Sequence, residues 1–385
     1  GVMVAFMAIL IAYIAGLFGV EVSALGQVII AIVFAVGVGF IAYRGVNGST
    51  LTALVINVIQ LSALVGFGVL AIAFRVINPL HATFVQPNAL SVMLPHSIPG
   101  VLFQSTIAIL ILVGFESCTA FGAEAINPRR DIPRAVILSL VIQGLLAYLF
   151  EYFAANFAVS DKLVGKAADG SAVSGFGAAA ASSAPIGDMI RLIGDSMLGG
   201  IGFGLAVVVA LTVALAILGT TLSAMNTGVR ITYAMAQDAE MPEPLGLLHG
   251  NFATPHFAVW VLVAVSAVIG AVGTLSVVNL TAITLASNLG TFVLYALTCL
   301  WTIVAFTGRR EHNFVRHTVV PVLGFLANLV MLFTIFFMGF LGGGDSQTES
   351  IGALAVAGIW AVASIVYVII QSRRTGRPML VQQKA

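Results

Sequence analysis

The sequence predicts an all-α membrane protein of about ten transmembrane helices, and three observations predict it. Sixty per cent of its 385 residues are hydrophobic and only 8% are charged. A water-facing domain carries about 25% charged residues. Mean hydropathy is +1.10. The apolar residues also gather into runs, each close to the roughly 20 residues that cross about 30 Å of hydrocarbon. So little charge cannot wet a surface, so the solvent is lipid. The net charge of +1 gives no electrostatic reason for a nucleic-acid partner.

Ten runs qualify: residues 1–20, 26–43, 51–75, 101–125, 135–158, 199–236, 255–275, 278–307, 317–341 and 350–371. The sixth exceeds one crossing and is expected to extend beyond the membrane as helix. The chain opens at Gly1 on an apolar run with no initiator Met, which reads as a start partway through a protein, with upstream sequence lost. Alternating the runs from an inside start leaves Arg75, Lys162, Lys166 and Arg191 outside. The other twelve of the sixteen basic residues, from Arg44 to Lys384, then lie inside. That bias is the positive-inside pattern and predicts a cytoplasmic C-terminal tail over 372–385, in a plasma or inner membrane. Two outer connections are long. Residues 76–100 carry Pro79, Pro87 and Pro95. Residues 159–198 are rich in Ala, Gly and Ser, and end in a stretch where Ile186, Met189, Ile190 and Ile193 recur at helical spacing. That stretch reads equally as a short helix on the outer face or as a flexible cover.

Cys118 and Cys299 lie in apolar runs and suggest neither a disulfide framework nor a metal site. The six histidines sit in loops or at segment ends, none paired with another within a segment at ligand spacing. No cofactor is expected.

An ionisable side chain inside a spanning segment costs roughly 2.5–3.5 kcal/mol on insertion scales, so it needs a reason. Glu116, Glu124 and Glu151 are such residues. Glu151 lies among Tyr148, Phe150, Tyr152 and Phe153 and is expected to reach the outer interface. Glu124, near the inner end, suits pairing with a loop arginine. Around Glu116 the fourth run reads Ile109-Leu-Ile-Leu-Val-Gly-Phe-Glu-Ser117. Gly114 lowers helix propensity here, which favours a helix that stops near Gly114 and restarts near Ser117. The carbonyls freed around Leu110 to Val113 would form a negative pole suited to an ammonium group, and the following N–H groups a positive pole that Glu116 can cap. An unbroken helix with a tolerated glycine is the alternative. Irregular backbone at this depth survives only where protein or a cavity covers it.

Residues 114–135 resemble the sixth helix and following loop of the amino acid–polyamine–organocation superfamily. There a G-F-E-S-like break precedes N-P-x-R-x-I-P-x-A, matched by Asn127-Pro128, Arg130, Ile132-Pro133 and Ala135. Pro128 and Pro133 bracket what reads as a tight inner connection, with Pro133 in the first turn of the next helix. Residues 230–242 resemble the family's eighth-helix ending, R-x-x-Y-A-M-A-R-D-G-x-x-P, with Gln237 and Ala239 departing from it. Residues 41–63 resemble its fourth-to-fifth helix junction.

The resemblance implies a LeuT-type inverted-repeat transporter of amino acids or related amines, working by alternating access, of which helices three to twelve are present and the first two missing. By it, 1–75 is the remainder of the first repeat, 101–307 the second repeat, and 317–371 two C-terminal helices. Leu110, Ile111, Val113, Gly114, Phe115, Glu116 and Ser117 would line the substrate site. Many relatives carry an aromatic lid near Leu110, which this sequence lacks; Phe115 stands one residue past the break. Coupling candidates are Gln60, where some proton-coupled relatives have lysine, and Thr220 and Ser223, where sodium-dependent relatives have hydroxyls. Glu116 is the candidate proton carrier. Ala224 stands where a third sodium ligand would help, and small hydroxyl residues also serve helix packing. Sodium, a proton and substrate exchange stay open. Asn288, Gly290 and Tyr295 fall on the helix that gates the pathway in relatives. A polyamine or other organocation is the alternative substrate class. A channel or an intramembrane enzyme is the rival from another class, although the spanning runs offer no histidine to partner a catalytic carboxylate or serine.

Overall fold

The computed structural model describes residues 1–45, 50–78, 94, 97–122, 125–167 and 170–375. Glu124, Pro79, Pro87, Pro95, Arg377 and Lys384 lie outside the described residues. In chain order the helices are α1 (Val2–Leu17), α2 (Ala24–Arg44), α3 (Thr50–Ile77) and α4 (Ile98–Leu112). A 3-10 turn follows (Phe115–Phe121), then α5 (Pro128–Phe153) with a π-helical extension, Ala154–Ala158. Next come β1 (Val164–Lys166), β2 (Ala172–Ser174), α6 (Phe176–Ala181), α7 (Pro185–Met197) and α8 (Gly202–Gln237). The chain closes with α9 (His256–Gly273), α10 (Val277–Phe306), α11 (Val320–Leu341) and α12 (Gly344–Thr375).

Among the described residues nine helices are long and apolar enough to cross a membrane. The protein is an integral, multi-pass membrane protein. The tenth expected crossing, α1, has 16 residues, about 24 Å of helix at 1.5 Å per residue. Its end is set by Gly19 at φ 78. The Val20 N–H then turns back to the Ala15 carbonyl at 3.0 Å, closing the helix before residue 20. The sixth run is one helix of 36 residues, about 54 Å long, so it passes beyond the hydrocarbon as expected.

Four differences from the sequence reading have local causes. α5 begins at Pro128 rather than near residue 135, so Pro133 sits inside the helix. Pro128 at the first helical position gives up an N–H that has no partner there anyway. Asp131 in the first turn suits the positive helix end. α12 begins at Gly344, before the apolar run, and runs to Thr375, so the tail starts later than residue 372. Val164–Lys166 and Ala172–Ser174 pair as two antiparallel strands, Val164 with Ser174 and Lys166 with Ala172, a departure from a purely helical chain. Finally, α7 is a helix rather than a flexible cover, with Arg191 and Asp195 on its exposed face and its apolar face packed inward. Its Met189, Ile190 and Ile193 are fully buried against Phe67 and Phe74 of α3, Ala154 and Val159 after α5, and Ala206 of α8. Each buried aliphatic there contributes about 1.5–3 kcal/mol, because this helix has water as its alternative.

The helix ends sort into two sets, as alternation requires. The ends of α3 and α5 and the start of α8 meet at the cluster around α7. At the opposite end, Val38 and Ala42 of α2 meet Met225 and Val229 of α8 and Val259 and Val263 of α9. The four helices α1, α2, α8 and α9 pack on one another. A second group joins Phe103 of α4, Leu285, Leu289 and Phe292 of α10, Ile335 of α11 and Ala353 of α12. The first half of the fourth run belongs to this second group, and its 3-10 turn touches α8 of the first.

Candidate functional site: the broken helix at Gly114

The fourth run is broken where its residues suggest. α4 stops at Leu112. Val113 is extended (φ −60, ψ 134), and Gly114 has φ 117 and ψ −15, a conformation that suits a residue without Cβ. The chain then resumes at Phe115, two residues earlier than expected, as a 3-10 turn of seven residues. So short a turn aligns few peptide dipoles, so the positive pole read from the sequence is weaker than an α-helix would make it.

The break leaves specific backbone groups. The Val113 N–H donates to the Ile109 carbonyl at 3.0 Å. The Gly114 N–H, which an unbroken helix would aim at Leu110, instead donates to the Glu116 carboxylate at 3.0 Å. The Ile111 carbonyl accepts from the Gln143 side-chain amide on α5. Among the described residues, no hydrogen bond reaches the carbonyls of Leu110, Leu112 or Val113. These are the expected negative pole. Glu116 does not cap the N–H groups of the second half: its carboxylate folds back to the Gly114 N–H, and the 3-10 turn has no side-chain cap.

Leu110, Val113, Phe115, Glu116 and Ser117 are half-buried, and Ile111 and Gly114 are exposed. Phe115 packs 5.9 Å, centroid to centroid, from Tyr295 of α10. Tyr295 feels the Glu116 carboxylate, yet its buried hydroxyl stops short of a well-formed hydrogen bond. Cys118 donates to the Phe115 carbonyl at 3.3 Å. The seven candidates for the substrate site are therefore one continuous feature, with α10 beside it.

The coupling candidates are only loosely gathered. Gln60 is half-buried on α3, and Thr220 and Ser223 are exposed on α8. The helices meet where Ile56 faces Gly219, 4.0 Å from the position a Cβ would take, and α8 also touches the 3-10 turn. No hydrogen bond among the described residues joins Gln60, Thr220 and Ser223. Thr221, by contrast, is buried and donates to the Ile217 carbonyl at 2.6 Å, which is a packing role. Glu151 is exposed near the outer end of α5, beside the Tyr152, Phe153 and Phe157 rings.

Two polar side chains at the break were not weighted by sequence reasoning. Gln143 was passed over, and Asn288 was read only as part of a gating helix. Asn288 is fully buried and donates to the Thr106 and Ile107 carbonyls of α4 at 2.8 and 3.3 Å. The available signal was an amide side chain inside an apolar run, since burying such a group demands a partner.

Comparison with known proteins places the chain in a family. The branched-chain amino acid permease BcaP of Bacillus subtilis is 24% identical over 262 residues, covering 68% of this chain and 50% of the relative. The branched-chain amino acid permease BcaP of Lactococcus lactis subsp. cremoris is 29% identical over 235 residues, covering 60% of this chain and 44% of the relative. A methylthioribose transporter of Bacillus subtilis is 24% identical over 302 residues, covering 74% of this chain and 54% of the relative. The chain spans about half the length of these curated relatives. Residues 1–368 match the amino acid permease family. The match covers nearly the whole chain, which belongs to the amino acid permease family of the amino acid–polyamine–organocation superfamily.

Proposed function

We propose that this protein is a secondary active permease that carries amino acids across a membrane by alternating access on a LeuT-type inverted-repeat fold. The observation that carries the reading is the break at Gly114, which leaves the Leu110, Leu112 and Val113 carbonyls unclaimed partway through a spanning segment. In a low-dielectric surround such acceptors attract a substrate ammonium strongly. The side chains nearest them, Leu110, Ile111, Leu112 and Phe115, are apolar, which suits a neutral amino acid with an aliphatic side chain. The two branched-chain permeases among the relatives favour the same class.

The repeat assignment, 1–75 for the first and 101–307 for the second, draws support from packing. α1 and α2 would be the third and fourth helices of one repeat, α8 and α9 those of the other, and these four pack together. The positive-inside bias places the tail in the cytoplasm and the protein in a plasma or inner membrane. For coupling, Thr220 and Ser223 are the oxygen donors for sodium and Glu116 the carrier for a proton. Gln60 is neutral and carries no charge through the cycle. A polyamine, the other substrate class, meets a carboxylate at the break, Glu116, that is already bonded to the Gly114 N–H.

The test is counterflow in proteoliposomes holding the protein expressed from its complete reading frame. Labelled L-leucine outside and unlabelled L-leucine inside should give saturable uptake that accelerates with internal leucine. Unsaturable conductance would make the protein a channel. Imposed sodium or proton gradients then identify the coupling ion.

A further inference from the structure

Helix α4 ends in the membrane at Leu112 with nothing covalent to steady its last turn except the left-handed link at Gly114. Carbonyls at such an end are useful to a ligand only if the turn does not fray. Two side-chain amides from two different helices reach α4. Asn288 of α10 donates to the Thr106 and Ile107 carbonyls in the middle of α4. Gln143 of α5 donates to the Ile111 carbonyl in its last turn. Beside Gln143, Gly144 lets Leu112 settle on α5: the Leu112 Cδ2 lies 3.6 Å from where a Cβ would stand.

The arrangement carries a cost that simple packing would not require. Asn288 is 0% exposed and its Oδ1 has no hydrogen-bond partner among the described residues. An apolar side chain of the same size would avoid that penalty. The bond it makes instead fixes α4 against α10. At the far end, Gln143 claims Ile111 and Val113 claims Ile109. The acceptors left over are the carbonyls of Leu110, Leu112 and Val113. An ammonium group brings N–H donors only, so it is drawn to acceptors that the fold leaves unclaimed.

We propose that Gln143 and Asn288 are positioning residues that clamp the half-helix α4 and thereby set the Leu110, Leu112 and Val113 carbonyls as the ammonium-binding acceptors. This rests on the break being the substrate site. Neither amide touches the ligand in this arrangement; each acts through the backbone it holds. Gln143 is the better probe, because it is half-buried and can be replaced with less risk to folding than fully buried Asn288.

The experiment measures binding of two probes to the protein in lipid nanodiscs, native and Gln143→Leu. One is L-leucine; the other is L-2-hydroxy-4-methylpentanoate, which has a hydroxyl in place of the ammonium. The clamp predicts that Gln143→Leu weakens L-leucine about fivefold, the equivalent of one ordinary hydrogen bond. The hydroxy acid's affinity stays as it is in the native protein, so the preference for the ammonium ligand narrows. Equal weakening of both probes, or unchanged L-leucine affinity, overturns the assignment. Asn288→Leu, checked for a native melting temperature, should narrow the preference in the same direction. Failure of the site itself reads differently, because then the native protein binds neither probe.

Discussion

The helices α1, α2, α8 and α9 and the segment from α4 through α5 are all apolar enough for lipid, yet they pack very differently. Of the most apolar window of α9, 33% is buried within the protein; of that in α5 and its extension, 0% is. Lipid is as apolar as leucine, so close packing rather than hydrophobicity drives helices together in a membrane. The first group achieves it with small residues. Ala8 of α1 and Ala31 and Ala35 of α2 are buried in one cluster, and Gly270 of α9 brings its backbone so near α1 that a Cβ would stand 2.5 Å from Val4 Cγ1. Around α4, by contrast, polar contacts add to the packing of Phe103: an amide from α5, another from α10 and a carboxylate folded over a glycine. A group locked by close-packed small residues thus stands beside a broken helix held in part by polar contacts.

That division can be broken at its strongest point. Gly39 of α2 faces Val263 of α9 so closely that any Cβ overlaps the valine Cγ2. Gly39→Val should therefore destabilise the protein by about 3 kcal/mol, the upper end for overpacking, seen as a large fall in melting temperature in detergent. A change under a degree would show the close-packed group to be as yielding as the break. At Gly114 the expectation is reversed. A Cβ there meets nothing within 4 Å, so Gly114→Ala has room and pays only in backbone strain at φ 117. About 1–2 kcal/mol of strain pushes the segment toward a continuous helix and should cut L-leucine uptake about tenfold, with little change in melting temperature. Uptake at the native rate would remove the break from the mechanism. The smallest effect lies at the end of α8. Ala239 has φ 61, where the superfamily pattern carries glycine. Ala239→Gly should stabilise the protein by about 1 kcal/mol by relieving that strain, and leave transport kinetics unchanged.

The break was legible because glycine, glutamate and serine in succession stand out against an apolar run. Ten apolar runs located the helices for the same reason, and the periodicity of Ile186 to Ile193 marked α7. What was not legible follows from the same physics. Gln143 looks like any polar residue in a helix until α5 is set beside α4, for hydrogen-bond partners 32 residues apart leave no local trace. The start of α5 was misplaced because Pro133 resembles a first-turn proline, and only the real start at Pro128 shows it to be interior.

The sequence by itself determined that this protein lives in lipid and where its helices lie, and it marked Gly114 as the place where one of them could break, since composition, period and backbone propensity are local properties. The tertiary structure alone decided which helices form the close-packed group, what the apolar face of α7 packs against, and which carbonyls at the break remain open. Those depend on distances between residues far apart in the chain, and a half-helix has no orientation until its neighbours hold it.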